Sequence, residues 1–208
     1  MIKDILNLEI SKLPESILTM EGMSGVEFRN FLNHLIAWTP DARYLEIGSW
    51  KGSTACSAMF GNKIKMTCID NWSEHNGRDG FTENTNQYKT EDTEITLIED
   101  DFRNVDYTQI GKFNVYFFDG PHSEQDQYDG VVMVQDALDD EFLLIVDDYN
   151  IFRIQDGTKR AIKDLGLTIL DEETVLTSTD GSQPLPNCQN SDWHNGVYIA
   201  RVKKNKGI

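Results

Sequence analysis

The sequence predicts an α/β protein built on an open, doubly wound, mostly parallel sheet. Three observations predict it. From Arg43 onward short apolar runs recur, each ends in acidic residues, and a polar or helical stretch follows each one. The runs are YLEIG at 44–48, IKMTCID at 64–70, EITLIED at 94–100, FNVYFFDG at 113–120 and EFLLIVDD at 141–148. Strands that read as nearly continuous hydrophobics are buried on both faces, and helical crossovers between them make neighbours parallel.

The first forty residues form a helical cap on this core, because Ile5, Leu6, Leu8, Ile10 and Leu13, and then Phe28, Phe31, Leu32, Leu35 and Ile36, recur at helical spacing. Between them TMEGMSG, at 19–25, reads as an interhelical turn, the commoner use of such residues, or as a lip over a ligand pocket. After a last helix near 152–165, GLTILDEETVLT and NGVYIARVKK add two strands and bring the total to seven. The polar loop joining them, 178–194, is too long for a tight hairpin, so the pair closes one edge of the sheet.

A chain of 208 residues supports one domain, and no repeat or linker divides it: 1–40 is the cap and 41–208 the core. Thirty-five acidic against nineteen basic residues leave a net charge of −16, which repels phosphate backbones and anionic lipid. The expected partner is a small molecule, not nucleic acid or a membrane, and a homo-oligomer is compatible with the sequence. No run approaches the roughly 18 apolar residues that span a bilayer. The start MIKDILNLEI lacks the basic flank and apolar stretch of a signal peptide, so the expected compartment is the cytoplasm. Cys56, Cys68 and Cys188, odd in number and without CxxC spacing, read as reduced packing residues.

In an open parallel sheet ligands bind beyond the carboxyl ends of the strands, where this chain puts its acidic residues. Glu46, Gly48, Gly52 and Ser53 spell E-x-G-x-x-x-G-S across the first strand end and the next helix start. Glycines there let backbone approach a ligand, and the helix start Gly-Ser-Thr-Ala offers free N–H groups to a carboxylate or phosphate; a plain tight βα turn would use the same residues. Asp70 ends the second strand 24 residues after Glu46, at the spacing that offers an acid to ribose hydroxyls. The GxGxxG of nicotinamide enzymes is absent, which disfavours that cofactor.

LEIGSWKGS, the strand-end IDNW and the later FFDGPH and LIVDDY resemble class I S-adenosylmethionine-dependent methyltransferases, over about residues 40–202. Within that family the pattern is similar to metal-dependent small-molecule O-methyltransferases of the catechol and macrocin types. The resemblance implies a Rossmann-like sheet of seven strands with a C-terminal antiparallel pair. It implies that Glu46, Gly48, Ser49 and Gly52 form the loop around the methionine part of the cofactor, with Ser53 opening the helix behind. It places Asp70 and Asn71 at the ribose, Trp72 over one face of the adenine, and Asp100, Asp101 or Phe102 at the adenine edge. Asp119 would border the cofactor as well as the metal.

Asp147 and Asp148 follow Asp119 by 28 and 29 residues, a spacing similar to the acidic metal triad of the catechol enzymes, with Asp148 as in the macrocin type where the catechol type has asparagine. Oxygen ligands with an open substrate position suit Mg²⁺, with Mn²⁺ and Ca²⁺ as alternatives. Both neighbours can ligate one ion only if the strand has already ended, since adjacent strand residues face opposite ways; otherwise Asp148 caps the next helix. His122, three residues after Asp119, matches the position of a catalytic base, against the plainer roles of bonding the Asp119 loop or opening a helix at Ser123. His194, beside Trp193, reads equally as part of an acceptor-covering loop or as a surface pair. The expected activity is methyl transfer to an oxygen of a small acceptor; the alternative is a protein that binds the cofactor without transferring anything.

Overall fold

The computed structural model describes residues 1–8, 11–182 and 192–205; Cys188 and most of the expected 178–194 loop lie outside them. In chain order the elements are α1 (Ile2–Leu6), α2 (Glu15–Leu18), α3 (Val26–Trp38), β1 (Arg43–Ile47), α4 (Ser53–Met59), β2 (Ile64–Ile69), α5 (Arg78–Tyr88), β3 (Thr93–Ile98), β4 (Phe113–Phe118), α6 (Glu124–Val132), β5 (Leu138–Val146), α7 (Phe152–Asp164), β6 (Thr168–Val175) and β7 (Val197–Lys203). One sheet of seven strands runs in the order β3, β2, β1, β4, β5, β7, β6. The first five strands are parallel, and β7 lies antiparallel between β5 and β6. The chain winds outward from β1 to β3 and then crosses to β4 on the other side, so β1 and β4 flank the switch point where such sheets bind ligands.

Register brings the strand ends level. Ile47 of β1 pairs with both Ile69 of β2 and Phe118 of β4, and Phe118 pairs with Val146 of β5. The residues that follow, Gly48, Asp70, Asp119 and Asp147, therefore start side by side along one rim.

The central strands are buried on both faces, as their apolar runs predict, and alternate residues feed two cores. Tyr44, Met66, Phe117 and Ile145 pack with Phe28, Leu32 and Leu35 of α3 and Met59 of α4. Leu45, Tyr116, Phe118 and Val146 pack on the other face with Val131 of α6 and Ile154 and Ala161 of α7. EITLIED departs from the expectation: β3 alternates between half-buried and exposed positions, because it is an edge strand, and Glu94 turns outward to pair with Lys65 at 3.0 Å. The cysteine expectation holds where it is described, since Cys56 and Cys68 are free and buried. Among the described residues no helix is long and apolar enough to cross a membrane.

The TMEGMSG joint is packed rather than loose. Arg29, fully buried on α3, donates through Nη1 to the carbonyls of Ile17, Leu18 and Met20 at 2.8, 3.1 and 2.9 Å and through Nε to Ser24 Oγ at 2.9 Å. One guanidinium thus satisfies a backbone turn that has no ladder of its own. Arg29→Leu strands those carbonyls, and urea denaturation should show a loss of about 3 kcal/mol or more; a loss below about 1 kcal/mol would mean that other contacts hold the joint.

Candidate active site

A cavity of about 370 Å³ opens over the level strand ends, within the size range of small-molecule sites. Its wall includes Gly48, Asp70, Asn71 and Trp72 after β1 and β2, Asp100, Asp101 and Phe102 after β3, and Asp119, His122, Asp147 and Asp148 after β4 and β5. The expected nucleoside and metal residues therefore share one space.

Gly48 is where the two halves of the rim meet. Its φ is +88°, and a Cβ there would lie 1.8 Å from the Asp119 carbonyl oxygen, so only glycine lets the β1 and β4 loops approach. Asp70 organises the next loop: Oδ2 accepts from the Trp50 N–H at 2.8 Å and Oδ1 from the Trp72 N–H at 2.7 Å. Each carboxylate oxygen keeps a further lone pair for a ligand hydroxyl. Trp72 adopts a φ of +49°, donates Nε1 to the Trp50 carbonyl at 2.9 Å and sets its ring edge-on to Phe81. Asn71 is exposed and accepts from the Ser73 N–H.

After β3, Asp101 caps the short helix at Phe102–Asn104 and pairs with Arg103 at 3.3 Å, while Phe102 is buried edge-on to Phe118. Asp100 is the most exposed of these three and accepts from the Asp101 N–H and Asn104 Nδ2.

Four expected cofactor residues stand behind the wall instead of on it. Glu46 is fully buried inside β1 and accepts from the Tyr44 hydroxyl at 2.5 Å and Thr54 Oγ1 at 3.0 Å. Burial pushes its pKa up to about 7 against those hydrogen bonds. Ser49 is buried, and Gly52 caps α4 beneath Phe81. Ser53 bonds Ser24 Oγ at 3.1 Å, and a Cβ on Gly22 would lie 2.1 Å from Ser53 Oγ. The joint thus covers the Ser53 side chain at the start of α4. The same joint also puts Met23 on the cavity wall, so turn and lip are both true of it.

At the other end of the rim the strand β5 stops at Val146, and Asp148 takes a φ of +55°. This break in the strand lets Asp147 and Asp148 both line the cavity. Asp148 does not cap α7: the cap residue is Ile151, and no side chain serves it. Instead Asp148 accepts from His122 Nε2 at 2.8 Å and from Asn195 Nδ2 at 2.6 Å. Ser123, not His122, opens α6 with a capping box to Asp126.

Ligand atoms of Asp119, His122 and Asp148 lie within 4.8 Å of one another, and so do those of Asp147, Asp148 and His194. The expected three-carboxylate set thus resolves into two carboxylate–imidazole groups that share Asp148. Burial and the neighbouring carboxylates push Asp119 and Asp147 well above the usual carboxylate range. Burial opposes ionisation of Asp148 too, but the bonds from His122 and Asn195 outweigh it and hold that carboxyl low. The hydrogen bond to Asp148 in turn raises His122. Asp147 Oδ1 is buried without a hydrogen-bond partner, a cost that a bound cation would remove.

Sequence reasoning left His194 open between two readings. The structure buries it, and Trp193 packs against Phe28 and Phe31, so this is no surface pair. Asn195 and Trp50 were missed outright. Their polar contacts run through a long-range side-chain bond and a backbone N–H, for which neither residue type carries a pattern.

A family model described as a methyltransferase domain matches residues 45–149, just over half of the chain. With the sheet order and the rim of acids, this establishes that the chain belongs to the class I S-adenosylmethionine-dependent methyltransferases. No curated protein matches the sequence. Among solved structures, the Podospora anserina methyltransferase PaMTH1 with bound S-adenosylhomocysteine aligns with a TM-score of 0.62 at 15% identity, over 99% of this chain and 94% of that one. A Staphylococcus aureus protein assigned as a caffeoyl-CoA O-methyltransferase aligns at 0.56 and 15%, over 86% and 83%. The chain spans about half the length of a Streptococcus mutans protein assigned as a SAM-dependent methyltransferase, covering 49% of it and 86% of itself at 0.57 and 14% identity. At these identities the likeness is one of fold.

Two stability measurements check this geometry. Gly48→Ala must part the β1 and β4 loops, and urea titration should show a loss of about 2 kcal/mol or more; an unchanged midpoint would contradict the close approach. For Glu46 the sign follows from its raised pKa: folding favours the protonated acid, so stability falls as pH climbs from about 4.5 to about 7. Glu46→Gln should remove up to about 3 kcal/mol of that pH dependence between pH 4 and 8. Identical pH slopes for parent and variant would show Glu46 ionising in the fold as it does in water.

Proposed function

We propose that this protein transfers a methyl group from S-adenosylmethionine to an oxygen of a small acceptor, assisted by a divalent ion at the ends of β4 and β5. The observation that carries the reading is the meeting, in one cavity, of the Asp70–Trp72 wall with the Asp119, His122, Asp147 and Asp148 cluster. A cofactor binder has no need of such a cluster. S-adenosylmethionine supplies an electrophilic methyl on a sulfonium. Asp147 and Asp148, with Asp119 on the other side of Asp148, would hold a divalent ion, which would supply Lewis acidity that lowers the pKa of an acceptor hydroxyl. The orphaned Asp147 Oδ1 and the oxygen-rich donors fit such an ion.

The chain's own residues do the rest. Asp70 accepts from the ribose hydroxyls through the lone pairs its loop leaves open, and Trp72 walls the adenine. His122 directs Nε2 at Asp148, which leaves Nδ1 to take the acceptor proton, and Asp148 stabilises the imidazolium that forms. Met23, His194 and Asn195 close the acceptor side and hold the oxygen in line with the methyl.

One observation favours a metal-free variant of the same reaction. Asp148 accepts from both His122 and Asn195, an arrangement in which the carboxylate orients the base.

Two experiments test the reading. Asp70→Asn should weaken S-adenosylhomocysteine binding about 10- to 100-fold by calorimetry, the worth of a charge-assisted hydrogen bond; unchanged affinity would remove the nucleoside assignment. A panel of catechols, sugars and hydroxylated acids, read by mass spectrometry, should yield a product one methyl heavier. Turnover should vanish in excess EDTA and return with Mg²⁺ or Mn²⁺. Full turnover in EDTA would select the metal-free variant, and cofactor binding with no product from any acceptor would support a binding protein.

A further inference from the structure

The donor set at the rim is not the all-oxygen set that the acidic spacing implies. We propose that His194 is a ligand of the bound cation together with Asp147 and Asp148, and that this site selects a first-row transition ion over Mg²⁺. The inference rests on the metal-assisted reading above and deepens it. Three facts carry it. Ligand atoms of Asp147, Asp148 and His194 converge within 4.8 Å. All three residues are buried, so charge gathered there must be offset by a cation, a bonded partner or a proton, and a cation serves both carboxylates at once. Asp147 lines the cavity, is only 3% exposed, and its Oδ1 is buried without a hydrogen-bond partner.

The segment that presents His194 is built for placement. The Asp192 carbonyl accepts from the Glu27 and Phe28 N–H groups at 2.8 and 3.2 Å, which fastens the segment to the start of α3. The Trp193 ring lies 5.7 Å from that of Phe31. The His194 carbonyl accepts from Thr177 Oγ1 at 2.6 Å, and Asn195 exchanges contacts with Asn150 and Asp148. The imidazole itself is hydrogen-bonded by the Met23 backbone, an outer partner of the kind that orients a ligating histidine. His194 also takes a left-handed φ of +50°, as Asp148 does at +55°, so backbone strain is retained at two of the three proposed ligands. Imidazole is a poor ligand for Mg²⁺ and a good one for Mn²⁺, Co²⁺ or Zn²⁺, so a mixed set shifts preference along the first-row series.

The test loads the full chain with Mn²⁺ and reads ¹⁴N coupling by pulsed electron paramagnetic resonance, then titrates Co²⁺ and Mg²⁺ by calorimetry. The unmodified protein should show imidazole coupling, and it should persist in His122→Gln. His194→Asn, chosen because asparagine tolerates a positive φ, should lose the coupling and lower Co²⁺ affinity at least about 10-fold while Mg²⁺ affinity changes by less than about 3-fold. Coupling lost in His122→Gln but kept in His194→Asn would move the ion to the Asp119, His122 and Asp148 group and overturn the proposal. Absence of ¹⁴N coupling in the unmodified protein would overturn it without need of a variant that folds. S-adenosylhomocysteine binding, measured on the same samples, separates the two failures: if it persists, the methyltransferase reading stands and only the histidine ligand falls.

Discussion

Burying several carboxylates side by side is the constraint on which the rest of this structure depends. At about 5 Å and an effective dielectric constant of about 20, two like charges repel by about 3 kcal/mol. Asp148 sits in that relation to both Asp119 and Asp147 at the ends of two paired strands, and the fold supplies several responses to it. Asp148 ionises against His122 and Asn195, while Asp119 and Asp147 are pushed toward the neutral acid. A cation would relieve what remains, and Asp147 Oδ1 is buried without a hydrogen-bond partner. Groups held this far from their ordinary protonation belong to sites that do chemistry more often than to sites that only support a fold.

The rim is completed by segments distant in sequence. Arg29 fastens the joint before α3, the joint covers the start of α4 and brings Met23 to the cavity, and α3 anchors the segment that carries His194. The N-terminal cap is therefore part of the cavity wall, and one buried guanidinium links its folding to the placement of an imidazole. The strand register does the corresponding work on the cofactor side by levelling the ends of β1, β2, β4 and β5.

The sheet was legible in the sequence because burial on both faces leaves a local signature, a continuous apolar run with an acid at its end. That signature placed the five parallel strands, Asp70, Asp119, Asp147 and Asp148. It was less faithful at β3, where an edge position changes which face is covered. What the sequence did not carry was depth. Glu46 and Ser53 occur in a motif that reads as a ligand loop, yet Glu46 turns inward to Tyr44 and Thr54, and Ser53 is covered by the joint at 19–25, whose path is set by Arg29 and not by local pattern. The role of Asn195 at Asp148 was invisible for the same reason, since the two meet across 47 residues.

The central claim is that nucleoside and cation share the one cavity at the carboxyl ends of β1, β2, β4 and β5. A crystal structure with S-adenosylhomocysteine and Mn²⁺, with anomalous data at the manganese edge, tests it most directly. The account predicts the ribose hydroxyls against Asp70 and a single strong anomalous peak about 2.0–2.4 Å from carboxylate oxygens of Asp147 and Asp148. A nucleoside bound elsewhere, or a manganese peak remote from both aspartates, would contradict it.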